Sequence, residues 1–231
     1  MIYNINPGTF GGPARNGDMI GIINVIQYLR NKEGSVRFHM KHGTINETEY
    51  CQKFFKFLCQ FTDFFSEISG TKDLSWTNVN VWDFRDISGD LVSIKNNTSM
   101  KDKLVIFPLF DASYNCYRNW PVHVFENLLN EYSNYSGEKI ICSSVVPEGI
   151  DLKGFTVSTD FIQNICHILE CKIFIGGDTG TSHFASALDR GPKDVIYYYS
   201  SRGLLHTTPF YALKGKGELR TYWLNYEGTT W

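Results

Sequence analysis

An α/β fold on parallel sheets is what this chain predicts, on three observations. Short β-rich runs alternate with stretches at helical spacing, turn-forming residues separate the two, and the pattern pauses in a polar stretch near residue 100 before starting again. Strand, helix, strand repeated in this way needs crossover connections, which put helices on both faces of parallel strands. The expected architecture is two doubly wound halves, 1–98 and 99–231, facing each other across a cleft.

The elements follow in order. Ile2 to Asn6 reads as a strand. A turn-rich loop, PGTFGGPARNGD, leads into a helix over Met19 to Arg30, with Met19, Ile22, Ile23, Ile26 and Leu29 on one stripe. Ser35 to Lys41 is a second strand. Glu47 to Ile68 is a long amphipathic helix whose stripe of Tyr50, Phe54, Phe57, Leu58, Phe61, Phe65 and Ile68 reads as core. Val79 to Phe84 and Leu91 to Ile94 are strands around a turn.

The stretch KNNTSMKDK, Lys95 to Lys103, has almost no apolar anchor and reads as an exposed connection between domains. Beyond it come a strand at Leu104 to Leu109, a helix at Val122 to Glu131 and a strand at Lys139 to Ser143. A helix over Phe161 to Leu169, a strand at Lys172 to Ile175, a helix over Ser182 to Leu188 and a strand at Val195 to Tyr199 complete the second half.

Composition narrows the function. A formal net charge of −2 gives no support for a basic nucleic-acid face, although a local patch is compatible with it. No apolar run reaches the roughly 18 residues that a membrane helix needs, and the first residues lack a charged start followed by an apolar run. A soluble, cytoplasmic protein is expected. The six cysteines sit among apolar neighbours without a CxxC pair, so they read as reduced, buried thiols. His39, His42, His123, His167 and His206 show no metal-ligand spacing.

Three segments carry candidate chemistry. In KIFIGGDTGTSHFASAL, an apolar strand runs into Gly176-Gly177-Asp178-Thr179-Gly180 and a helix begins near Thr181. Glycines admit close approach of backbone to ligand, and the amides and dipole of a helix start attract phosphate. Thr179, Thr181 and Ser182 add hydroxyls, His183 lies in the first turn, and Asp178 at the strand tip suits sugar hydroxyls. The alternative is a plain capped turn. In YRNWP, Arg118 offers a planar fork suited to a diphosphate while Trp120 and Pro121 open a helix; a surface arginine beside a structural Trp is the other reading. In the loop after the first strand, Asp18 either caps the helix or takes a proton from an acceptor hydroxyl. Neither GxGxxG nor a Walker loop is present.

Taken together and in order, these segments resemble the heptosyltransferase-like glycosyltransferases, the ADP-heptose:lipopolysaccharide type, in a shortened form. The resemblance rests on Gly17-Asp18-Met19-Ile20 opening the first helix and on Arg118-Asn119-Trp120-Pro121. It is completed by Asp178 to His183 before an Ala-rich helix. It implies the GT-B fold of two Rossmann-like domains and an inverting, metal-independent transfer of a sugar from a nucleoside-diphosphate sugar. Asp18 would be the general base and Arg118 would contact the diphosphate. Asp178 would hold the donor sugar, while Thr179, Gly180, Thr181 and His183 would cradle the phosphates. Arg15 and Asn16 would lie on the acceptor side. No cofactor beyond the nucleotide-sugar co-substrate is implied, and no Asp-x-Asp triplet for a divalent cation occurs in the sequence.

The acceptor stays open at this point. A glycan hydroxyl is one choice. A hydroxymethylated pyrimidine base in DNA is another, since the wealth of Asn, Tyr, Phe and Lys suits an AT-rich, viral genome. Arg15, Lys41, His42, Lys72 and Arg85 are the basic residues that a duplex would meet, although solvated surface charge accounts for each equally. A nucleotide-sugar or nucleic-acid binding module without turnover is the third reading.

Overall fold

The computed structural model describes residues 2–6, 20, 28–29, 32–33, 37–39, 49, 53, 56, 77–80, 96–110, 119–177, 179–188 and 194–198. The chain divides into two compact units, Met1–Lys95 and Asn96–Trp231.

In the first unit, β1 (Ile2–Asn6), β2 (Arg37–His39) and β3 (Thr77–Asn80) form a parallel sheet in the order β2-β1-β3. Ile2 lies opposite Arg37 and Tyr3 opposite Thr77, so β1 is paired on both edges. Ile20, Tyr28 and Leu29 are helical; Ile20 is fully buried although it lies off the apolar stripe read from the sequence. Glu49, Lys53 and Lys56 are helical and exposed, and Glu49 pairs with Lys53 one turn later at 2.6 Å. They form the polar side of the predicted Phe-rich helix. The strand expected at Leu91 to Ile94 lies outside the described residues.

The second unit contains β4 (Lys103–Phe107), α1 (Val122–Glu131), β5 (Glu138–Cys142), β6 (Thr156–Ser158) and α2 (Phe161–Glu170). It continues with β7 (Ile173–Gly177), α3 (Gly180–Ala187) and β8 (Asp194–Tyr198). All five strands are parallel, in the order β6-β5-β4-β7-β8. The first strand of the unit is therefore central. The chain builds outward from it on one side, returns, and builds outward on the other, which is the Rossmann arrangement.

Alternation along the strands explains the two covered faces. Leu104 and Ile106 of β4, Ile141 of β5 and Ile175 of β7 turn to one face and pack with Trp120 and with Phe125, Leu128 and Leu129 of α1. Each of these fully buried side chains contributes about 1.5–3 kcal/mol relative to exposure. On α2, Asp160 caps the helix by accepting from the Gln163 amide at 2.8 Å, and Ile165 and Ile168 are buried.

Three sequence expectations need correction. The polar stretch after Lys95 is an exposed connection only over residues 97–102. At its start Asn96 is buried, donating from Nδ2 to the Leu169 carbonyl at 2.8 Å and accepting from the Thr98 amide. At its end Lys103 is the first residue of β4 and only 3% exposed. The reason is that the last carbonyls of α2 lack partners within the helix, and this stretch supplies them: the Lys101 amide also bonds the Glu170 carbonyl at 2.7 Å. Second, β6 was not anticipated. Third, of the three cysteines among the described residues Cys142 and Cys171 are buried free thiols, but Cys166 is exposed because it lies on the outer side of α2. Among the described residues no helix is long and apolar enough to cross a membrane.

Candidate functional site

In a doubly wound sheet a crevice opens beyond the carboxyl ends of the strands where the order reverses, because the chain leaves the two neighbouring strands in opposite directions. Here those strands are β4 and β7, with Phe107 beside Gly176. Two of the segments singled out above, YRNWP and GGDTGTSH, follow these two strands.

The two glycines at the end of β7 face opposite sides. A Cβ on Gly176 would lie 2.5 Å from Ser182 Oγ and 2.7 Å from the Phe174 ring. A Cβ on Gly177 would lie 2.7 Å from the indole nitrogen of Trp120. The strand tip is thus gripped from both faces, by α3 on one and by Trp120, two residues before α1, on the other. No side chain larger than hydrogen fits at either position without movement.

Beyond the tip, the turn folds tightly back into α3. The Thr179 amide donates to the Gly177 carbonyl at 2.8 Å, and the amides of Ser182 and His183 point to the Thr179 carbonyl at 3.1 and 3.3 Å. Ser182 Oγ, fully buried, donates to the Gly177 carbonyl at 2.6 Å and lies 3.3 Å from Thr179 Oγ1. Thr179 Oγ1 in turn lies 2.7 Å from Thr181 Oγ1. Thr179 takes the N-cap position without a side-chain cap bond. The amides of Gly180 and Thr181 stand at the helix start, beyond the reach of the helical ladder, where the dipole is positive.

Of the expected donor-side residues, the structure brings Thr179, Gly180, Thr181 and His183 together in this turn and the first turn of α3. Thr179 and Gly180 are half-buried, whereas Thr181 and His183 are buried at 4% and 8% exposure. Ser182, read from the sequence as a hydroxyl donor to a ligand, is instead engaged with the backbone of the turn. Asp178, Arg118, Asp18, Arg15 and Asn16 lie outside the described residues, as do Lys41, His42, Lys72 and Arg85. For Trp120 the structure bears out the structural one of its two readings: the indole packs against Gly177, and that glycine admits the ring rather than a ligand. Pro121 serves as the N-cap of α1 rather than as a residue of its first turn.

A second polar cluster sits at the amino-terminal edge of the same sheet, away from this crevice. Lys103 Nζ bonds Glu170 at 3.0 Å, Glu138 at 3.2 Å and His167 Nδ1 at 3.0 Å. Burial works against the charge on Lys103, but the hydrogen bonds to Glu170 and Glu138 outweigh it and raise its pKa. His167 is held below its ordinary value, first by burial and then by the Lys103 charge. Hydrogen bonding to Lys101 lowers the Glu170 pKa, with Lys103 adding to it. Among the described residues no group of three or more His, Cys, Asp or Glu side chains is arranged to hold a metal ion.

The sheets and this turn place the second unit among parallel α/β folds with Rossmann strand order. No family model matches the chain, and no curated protein does either. Among solved structures, the chain is similar to the E. coli ADP-heptose lps heptosyltransferase II, at 12% identity and a TM-score of 0.47. That likeness covers 96% of this chain and 89% of that one.

Proposed function

We propose that the chain is an inverting, metal-independent glycosyltransferase of GT-B type, moving a sugar from a nucleoside-diphosphate sugar to an acceptor hydroxyl. What supports this reading most is the position of the GGDTGTSH turn. It leaves β7 at the strand-order reversal and runs directly into the positive end of α3. Oriented amides in that place are suited to an anionic leaving group. The order of Asp18, Arg118 and Asp178 to His183 along the sequence supplies the rest.

In this reading the acceptor oxygen attacks the anomeric carbon and its proton passes to the Asp18 carboxylate. The bond from that carbon to the phosphate oxygen breaks, and the diphosphate leaves with the electron pair. Arg118, His183, Thr179, Thr181 and the Gly180 amide offset the developing charge, while Asp178 orients the donor sugar. Removing one such donor of charge stabilisation lowers the rate by about 10²–10³. Arg15 and Asn16 lie on the acceptor side.

A thermal-shift panel of nucleoside diphosphates and their sugars tests the donor half. One base should stabilise the chain, by about 2.7 kcal/mol at a hundredfold excess over its dissociation constant. A panel without any shift would remove the reading. Asp18→Asn should retain donor binding and lose transfer; full transfer by that variant would move the base elsewhere.

A further inference from the structure

Trp120 stands at the junction of the two strand exits that flank the crevice. Its amide donates to the Leu109 carbonyl at 2.7 Å, which closes the neck of the segment leaving β4. Its indole lies against Gly177, the last residue of β7, so closely that no Cβ fits there. The side chain is 3% exposed and belongs to the same core as Ile106, Phe125 and Ile175. One residue therefore bonds the chain beyond β4 through its backbone and bears on β7 through its ring.

From this we infer that Trp120 is the positioning residue of the donor site: its indole forms the floor of the crevice and sets how β7's turn sits relative to the exit of β4. This rests on the nucleotide-sugar reading above. A rigid, two-torsion ring suits the task, because it fills the space between two backbones at low entropic cost. With the floor filled to the backbone of Gly177, a diphosphate lies over the turn at Thr179 and Gly180 rather than between the strands. Supporting groups of this kind matter because a misplacement of about 1 Å can cost about a hundredfold in rate.

The test uses the full chain with ADP, GDP, UDP and CDP as probes, with affinity followed by calorimetry and folding by urea denaturation. Gly177→Ala drives a methyl group into the indole and should weaken the best diphosphate about tenfold or more. Combining it with Trp120→Phe makes room and should bring affinity back to within about threefold of Trp120→Phe alone. Trp120→Leu keeps an apolar filling without the ring and should lose about tenfold. A merely structural contact would change the urea midpoint in every variant and leave affinity unmoved, and that result overturns the inference. So does a double variant that binds no better than Gly177→Ala. Should Gly177→Ala fail to fold, Trp120→Leu decides: affinity equal to the parent's overturns the proposal, and loss supports it. If the parent chain binds none of the four diphosphates, the glycosyltransferase reading itself fails and this inference goes with it. Binding by the parent with unaffected variants removes the inference alone.

Discussion

Ser182 Oγ donates a 2.6 Å hydrogen bond to the carbonyl oxygen of Gly177, five residues before it, with the hydroxyl fully buried. The bond ties the first turn of α3 to the end of β7, and it does so across the space that Gly176 leaves empty. Local chain reversal and helix start are thereby one unit.

The energetic consequence is a loss on Ser182→Ala larger than a surface substitution would give. The Gly177 carbonyl loses one of two donors and keeps the Thr179 amide, so the loss is that of one net hydrogen bond, about 0.5–1.5 kcal/mol. Gly176→Ala costs about 1–3 kcal/mol by crowding, since its methyl would meet both Ser182 Oγ and the Phe174 ring. The two changes share a contact, so the double variant should lose less than the sum by more than about 0.5 kcal/mol. Urea unfolding of the four proteins measures this. Strict additivity would mean that the hydroxyl and the glycine do not share their space.

At the other edge of the sheet, removing one partner or the other should have unequal effects. Lys103 is 3% exposed, while Glu170 and Glu138 are 23% and 52% exposed. Glu138→Ala together with Glu170→Ala leaves an ammonium group buried without a carboxylate, which costs about 3–5 kcal/mol. Lys103→Met keeps the stem and releases carboxylates that water can reach and, for Glu170, that Lys101 still pairs at 2.8 Å. Its cost should stay below about 1.5 kcal/mol, as for volume-conserving replacements. Equal losses in the two proteins would show that Lys103 is hydrated despite its position.

That cluster also marks where the sequence was legible and where it was not. α1 is found at Val122–Glu131 as expected, because its apolar spacing and the preceding Pro121 are local signals. β1 likewise matches Ile2–Asn6, and β4, β5, β7 and β8 fall within one or two residues of their expected bounds. β6 was missed because Thr156–Ser158 is a three-residue edge strand, mostly exposed, paired with Ile140–Cys142; a polar-apolar-polar triplet is too short to mark a strand, and its apolar member, Val157, is itself exposed. Lys103 was read as linker because its partners are remote in sequence: His167 and Glu170 lie 64 and 67 residues away. In the candidate site, the glycine-rich turn and the start of α3 were visible as motifs. The partners of Ser182 and Trp120 were not, since each contact is to a strand tip that the motif does not encode.

His167 gives the last prediction. Its Nδ1 lies 3.0 Å from Lys103 Nζ, an ammonium group that can only donate, so the ring accepts there and carries its proton on Nε2. The charges around it are Lys103 on β4, Glu138 on β5, Glu170 on its own helix, and Lys101; burial and the Lys103 charge prevail and lower its pKa below 6.5. A lowered histidine pKa in the fold means that the unfolded chain binds the proton more readily. Stability is therefore fully present above 6.5 and falls as the pH drops below that value toward the folded-state pKa. The loss from Glu170, whose pKa is lowered from 4.5, begins only in more acid solution, so the two windows separate. His167→Gln retains an oxygen acceptor for Lys103 without titrating. Urea midpoints taken between about pH 7.5 and 5.5 should decline for the parent and stay flatter for this variant. Parallel curves over that window would show that His167 does not carry the dependence and that its ring accepts no bond from Lys103 in solution.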